Sequence, residues 1–201
     1  MTLGWKVSTE VDPAQPLPPW RPLLFAANKR EGRSPGGRWL QLASLSIDGY
    51  PRVRTLVFRD WSAAATLDLL TDARSEKCLE IERTPEVELC WLFRKAREQF
   101  RLRGTARLIA PTANEGVALD QHWKRLPPSG RSVWAWPSPG DPFDAQGPWP
   151  QELSDDSGMP EHLRLLRISL HQVEQLDLKP HPHLRRLWTS ARQWQEQRLN
   201  P

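Results

Sequence analysis

The chain has 201 residues, 38% of them hydrophobic and 26% charged, with a net charge of +4. That length suits a single domain able to bury roughly 70% of its unfolded surface, and no stretch approaches the ~18 apolar residues of a spanning helix. Residues 1–20 lack the apolar run of a signal peptide, and two cysteines, Cys78 and Cys90, are too few for a disulfide framework.

A reducing cytoplasm is the expected location. Prolines gather among residues 13–22 and again among residues 127–160, which marks loops. Most of the positive charge is arginine, whose planar fork suits phosphate and carboxylate. The net charge of +4 and pI near 9.4 allow an anionic partner but are weak evidence for nucleic acid, since basic domains with no such role are common.

Residues 1–19 read as a loose N-terminal arm and residues 20–201 as one domain. Residues 20–29 form a short helix with Pro22 in its first turn, and residues 33–37 form a loop. Residues 39–47 and 52–59 are strands joined by Asp48-Gly49, a strong hairpin signal. Residues 66–71 make a third strand. Residues 75–82 carry helix formers, and Thr84-Pro85 ends that helix.

Strands follow at residues 87–93 and 99–109. In the second, Phe100, Leu102, Ala106 and Leu108 take one face, and Gln99, Arg101, Arg103, Thr105 and Arg107 the other. Residues 114–126 read as an amphipathic helix. Residues 127–160 are mostly loop, with a helical turn near Arg131–Trp134; a loop this long covers a site or an interface. Strand-like runs at 162–170, 173–178, 185–188 and 194–199 close the chain. The sum is a mainly antiparallel β-barrel with peripheral helices (α+β).

The richest stretch is Thr71-Asp72-Ala73-Arg74-Ser75-Glu76-Lys77, a strand running into a helix start. Free N–H groups and the positive dipole end make such a place suited to an anion. Ser75 adds a hydroxyl, and Arg74 and Lys77 add charge. Taken alone, the same residues read more simply as an ordinary helix start, with Asp72 or Ser75 as N-cap and solvated cations. Arg52, Arg54 and Arg59 flank apolar Leu56-Val57-Phe58, either lining a planar anionic ligand or forming one solvated face. The Gln99 amide can meet the polar edge of a heterocycle. Cys78 and Cys90 both read as core. His162, His171, His181 and His183 lack metal-ligand spacing, so no metal is expected.

In order, Arg54-Thr55-Leu56-Val57-Phe58-Arg59, Thr71 through Lys77, and Arg97-Glu98-Gln99-Phe100-Arg101-Leu102-Arg103-Gly104 resemble the pyridoxamine 5'-phosphate oxidase superfamily. The ending from Arg185 through Trp194 to Arg198-Leu199-Asn200-Pro201 resembles it too. Trp136-Pro137-Ser138-Pro139-Gly140 is similar to a segment of its uncharacterised flavin-binding branch.

The resemblance implies a split β-barrel that pairs as a homodimer, with FMN in two clefts at the interface. It implies that Arg54 contacts the flavin or its phosphate end, and that Thr55, Leu56 and Val57 present backbone groups to the ring. Thr71, Arg74, Ser75 and Lys77 would hold the phosphate, with Arg59 close by, and Gln99 would address the isoalloxazine. Arg131, Trp136 and Arg185 would come from the partner chain.

Two departures qualify this. Glu76 stands where the superfamily commonly has arginine, so Glu76 should point away and Arg74 replace that charge. His181 stands where the vitamin enzymes have an arginine, and no tyrosine follows the long strand. Poor oxidation of pyridoxamine 5'-phosphate is therefore expected. The reading is a flavin-dependent oxidoreductase of unknown small-molecule substrate, with no catalytic side chain assigned. The alternative is a non-catalytic flavin carrier or sensor, or a basic nucleic-acid-binding module.

Overall fold

The computed structural model describes residues 16–32, 34–112 and 116–201. Most of the expected arm, and the start of the helix expected from Asn114, lie outside them.

Helix α1, Trp20–Glu31, buries Trp20, Leu24, Ala27 and Glu31, the spacing of one helical face. It ends at Gly32, whose φ of +63° suits a residue without Cβ. Strands β1, Trp39–Leu45, and β2, Pro51–Ala63, pair antiparallel with Leu45 opposite Pro51. Gly49 at φ +88° makes the hairpin turn, as Asp48-Gly49 predicts.

Strand β3, Thr66–Asp72, leads into α2, Glu76–Arg83, followed by β4, Glu86–Phe93, and β5, Glu98–Ile109. Helices α3, Gly116–Lys124, and α4, Pro128–Ser132, precede β6, Leu163–Asp177. Strands β7, Leu184–Thr189, and β8, Gln197–Leu199, finish the chain. The order β3-β2-β1-β4-β5-β6 closes on itself because β3 also pairs with β6. The result is a closed six-stranded antiparallel barrel, extended on one side by β7 and β8.

The barrel interior holds Trp20, Trp91, Phe93, Phe100 and Trp188, each 0% exposed. A smaller core, built on Leu119, Trp123, Leu126 and Trp134, packs α3 and the following turn against Leu70, Leu163 and Leu165.

Four local expectations need correction. Strand β2 continues past Arg59 to Ala63 through register shifts at Phe58/Asp60 and Trp61/Ala63; such irregularities absorb Asp60, which reads as a strand end. The two runs near residues 162–178 are one strand, β6. It pairs Gly104 with Leu170 and Arg103 with Gln172, leaving His171 as the extra residue of a bulge. The 33–37 loop contains a 3₁₀ turn, Pro35–Gly37, capped by the Ser34 hydroxyl. Cys90 lies half-buried on the outer face of β4, and Cys78 alone is core.

Gly104 permits the bulge. A Cβ there would stand 2.4 Å from the Ser169 carbonyl oxygen, so the backbone would have to move. Gly104→Ala is expected to destabilise the fold by about 1–3 kcal/mol, read as a lower thermal unfolding midpoint.

Candidate ligand-binding site

Strand β3 delivers Asp72 to the turn before α2, where Ser75 holds the N-cap position in extended backbone. The Ser75 hydroxyl donates to the Asp72 carbonyl at 2.6 Å and accepts from Lys77 Nζ at 2.7 Å. The Asp72 carboxylate accepts from the Arg74 backbone N–H at 2.8 Å and from its guanidinium at 3.0 and 2.7 Å. Arg74 also donates to the Trp136 carbonyl at 3.2 Å. Beneath, Cys78 Sγ donates to the Asp72 carbonyl at 3.1 Å, and burial pushes the thiol pKa up. Glu76 is exposed.

Arg54 approaches from β2, donating to the Ser44 hydroxyl and, at 2.7 Å, to Glu80 Oε2. Ser44 donates to the same carboxylate at 2.5 Å. Burial lowers the Lys77 ammonium below the usual lysine range, and Arg54 nearby adds to this. The structure thus gathers Arg54, Thr71, Arg74, Ser75 and Lys77 around one helix start.

Burial alone would raise the Asp72 carboxyl, but the Arg74 hydrogen bonds outweigh it and hold the group below the usual carboxylate range. A carboxyl lowered in the folded state stabilises above its unfolded pKa of about 3.9, and that contribution disappears as pH falls through the lower folded value. Acid unfolding followed by circular dichroism is therefore expected to begin below about pH 4 in the wild type. Asp72→Asn should lower stability at pH 7 and flatten the acid limb.

Arg59 sits at the first β2 irregularity. Its Nε is buried without a hydrogen-bond partner among the described residues, and burial, with Arg38 alongside, lowers its guanidinium to about 10. No contact among the described residues ties it to the turn at residues 71–77. Leu56 faces inward and packs against the barrel core, Thr55 is exposed, and Val57 pairs with Trp39.

A second group forms elsewhere. Gln99, Arg101, Glu174, Gln175, Leu176, Arg185 and Pro201 line a cavity of about 150 Å³. Gln99 and Arg185 both sit opposite Leu176 of β6. These two residues, expected on different chains of one site, share one surface of one chain.

Arg131 joins neither group. It is 4% exposed, and its donors meet the carbonyls of Trp123, Lys124 and Ser154 and the Asp155 carboxylate. Its guanidinium supplies donors to carbonyls at the end of α3 and to the Ser154 carbonyl of the loop. Trp136 is tied to the turn of its own chain through Arg74. Its ring meets Trp149 at 5.7 Å, and Phe143 stacks on Trp149 at 5.5 Å.

Sequence reasoning missed Ser44, Glu80 and Glu174, and read Asp72 only as a helix cap. The one local signal was Glu80, three residues after Lys77 on the same helix face.

The first group suits a phosphate. Asp72 and Glu80 are already engaged by Arg74 and Arg54, and a hydroxyl is the hydrogen-bond partner of the Lys77 ammonium. Buried cations favour a counter-ion, and a phosphate at the start of α2 supplies one. The second group offers amide and guanidinium donors around that cavity, which suits the polar edge of a planar ring. Among the described residues, no three His, Cys, Asp or Glu side chains gather as metal ligands, and no helix is long and apolar enough to cross a membrane.

The model of the pyridoxamine 5'-phosphate oxidase FMN-binding domain matches residues 17–110. Over 192 residues the chain is 29% identical to pyridoxine/pyridoxamine 5'-phosphate oxidase 2 of Arabidopsis thaliana, covering 91% of this chain and 97% of that one. The crystal structure of a pyridoxamine 5'-phosphate oxidase-related, FMN-binding protein from Nostoc punctiforme superimposes with a TM-score of 0.83. It is 30% identical, over 93% of this chain and 100% of its own. PhzG from Burkholderia lata, 20% identical with a TM-score of 0.73 over 95% and 99% of the two chains, shares the fold.

Proposed function

Because the chain belongs to the pyridoxamine 5'-phosphate oxidase-related family of FMN-binding proteins, we propose that it binds FMN between two copies of itself and oxidises or reduces a small molecule. The observation that carries this is the half-buried Lys77 ammonium held on the Ser75 hydroxyl, with Arg54 and Arg74 around the start of α2. Arg54, Thr71, Arg74, Ser75 and Lys77 would hold the phosphate. Arg59, with its unmatched Nε, would add charge, and Thr55, Leu56 and Val57 would offer backbone groups. FMN, when bound, supplies hydride transfer at its ring.

A homodimer follows from the separation of the two groups. Asp72 sits opposite Leu163 and Arg185 opposite Leu176, which leaves about 40 Å of β6 between them at ~3.3 Å per residue. A single flavin nucleotide meets both groups more readily across two chains than within one. Gln99 and Arg185 of one copy would then address the ring whose phosphate the other copy holds. Trp39, Leu45, Val53 and Leu92, each more than 40% exposed on the outer strand faces, give the apolar surface that self-association covers.

The substrate is proposed to be something other than pyridoxamine 5'-phosphate. His181 is exposed on the β6–β7 turn, and Tyr50 is 66% exposed on the β1–β2 hairpin, so neither joins a second phosphate pocket. A cytoplasmic location goes with this reading.

Sedimentation of the FMN-mixed protein tests the proposal. Visible flavin absorbance should travel with a species of twice 23.2 kDa. A flavin-bearing monomer would contradict the shared site.

A further inference from the structure

The flavin reading leaves unexplained a buried carboxylate at the edge of the second group. We propose that Glu174 is a positioning residue that fixes Arg185 for contact with the flavin ring, acting through a shared hydrogen bond rather than on the ligand itself. The inference rests on the FMN reading and deepens it.

Glu174 is 8% exposed. Its Oε2 accepts from Arg185 Nε at 3.0 Å, Arg185 Nη2 at 2.8 Å and Arg101 Nη2 at 2.6 Å. Oε1 accepts from Gln172 at 3.3 Å. Burial alone would raise this carboxyl, but Arg101 and Arg185 hold it below the usual carboxylate range, so it is ionised at neutral pH.

An arginine side chain is long and populates many rotamers when free. Two bonds to one oxygen hold this guanidinium by its Nε edge. Nη1 meets no other protein group among the described residues, and Arg185 lines the cavity beside Gln99. Arg101 approaches the same oxygen from β5, so the carboxylate keeps a partner whichever way Arg185 moves. The arrangement presents one edge of Arg185 to a planar ligand and fixes where that edge points.

A double-mutant cycle on flavin binding tests this, read by fluorescence quenching with both FMN and riboflavin. Riboflavin lacks the phosphate and so reports the ring end alone. Glu174→Gln should weaken both flavins by the same factor, about tenfold. In an Arg185→Met background the same change should cost nothing further. Additive losses, or unaltered affinity in Glu174→Gln, would overturn the assignment while leaving the FMN reading intact. If Glu174→Gln does not fold, Arg185→Lys keeps the charge but loses the fork, and should show the same equal loss. Wild-type affinity in Arg185→Lys would overturn it. Failure of the wild type to bind either flavin would remove the FMN reading itself, and this inference with it.

Discussion

Lys77→Ala should weaken FMN binding ten- to a hundredfold and leave riboflavin binding unchanged. The Lys77 ammonium is partly buried against Ser75, with Arg54 near it and, among the described residues, no carboxylate in direct contact. A charge-assisted bond to a phosphate is worth about 1.5–3 kcal/mol, which converts to that range of affinity. The sign of the stability change separates this account from a structural role. Burial disfavours the charged lysine in the folded state, so removing it should not lower the thermal midpoint. Wild-type affinity for FMN should also fall as pH rises through the lowered Lys77 range, where the ammonium loses its proton. Isothermal titration with the two flavins across alkaline pH measures all of this. Equal losses for FMN and riboflavin would mean that Lys77 does not meet the phosphate.

Trp91→Ala should cost about 3–5 kcal/mol of folding stability. Trp91 is 0% exposed, and its ring lies 5.0 Å from Phe58 and 5.1 Å from Phe93. It therefore joins β2 to β4 across the barrel interior. A loss of that size is a large share of the 5–15 kcal/mol that typically holds a domain together. Trp91 Nε1 has no hydrogen-bond partner among the described residues, so Trp91→Phe gives up no such bond and should cost less than the alanine change. Denaturant midpoints of the two variants, at constant slope, give the comparison.

Local chemistry was legible in the sequence. Asp48-Gly49 announced the first hairpin, alternation along residues 99–109 announced β5, and Ser75 announced the start of α2. Each of these signals lies within a few residues. The β2 irregularities and the β6 bulge were hidden because Asp60 and His171 look like strand breakers on their own, and their partners, Arg125 after α3 and Glu86 of β4, are distant in sequence.

The same division holds at the site. The cations Arg54, Arg74 and Lys77 were readable as residue types, but the pairing of Arg54 with Glu80 and of Arg74 with Asp72 became apparent only in three dimensions. Gln99 and Arg185 share a cavity because β6 runs between β5 and β7, a non-local pairing that no motif encodes. Arg131 looked like a ligand contact in a proline-rich loop, and in this chain its donors tie the end of α3, at the Trp123 and Lys124 carbonyls, to Ser154 and Asp155.

The most direct test of the central claim is a titration of flavin-free protein with FMN and, separately, riboflavin, following flavin fluorescence. The account predicts saturable quenching by FMN at one flavin per chain and binding of riboflavin weaker by at least about tenfold, since the phosphate contacts are missing. Equal affinity for the two flavins, or no quenching by FMN, would contradict the assignment of residues 71–77 as the phosphate anchor.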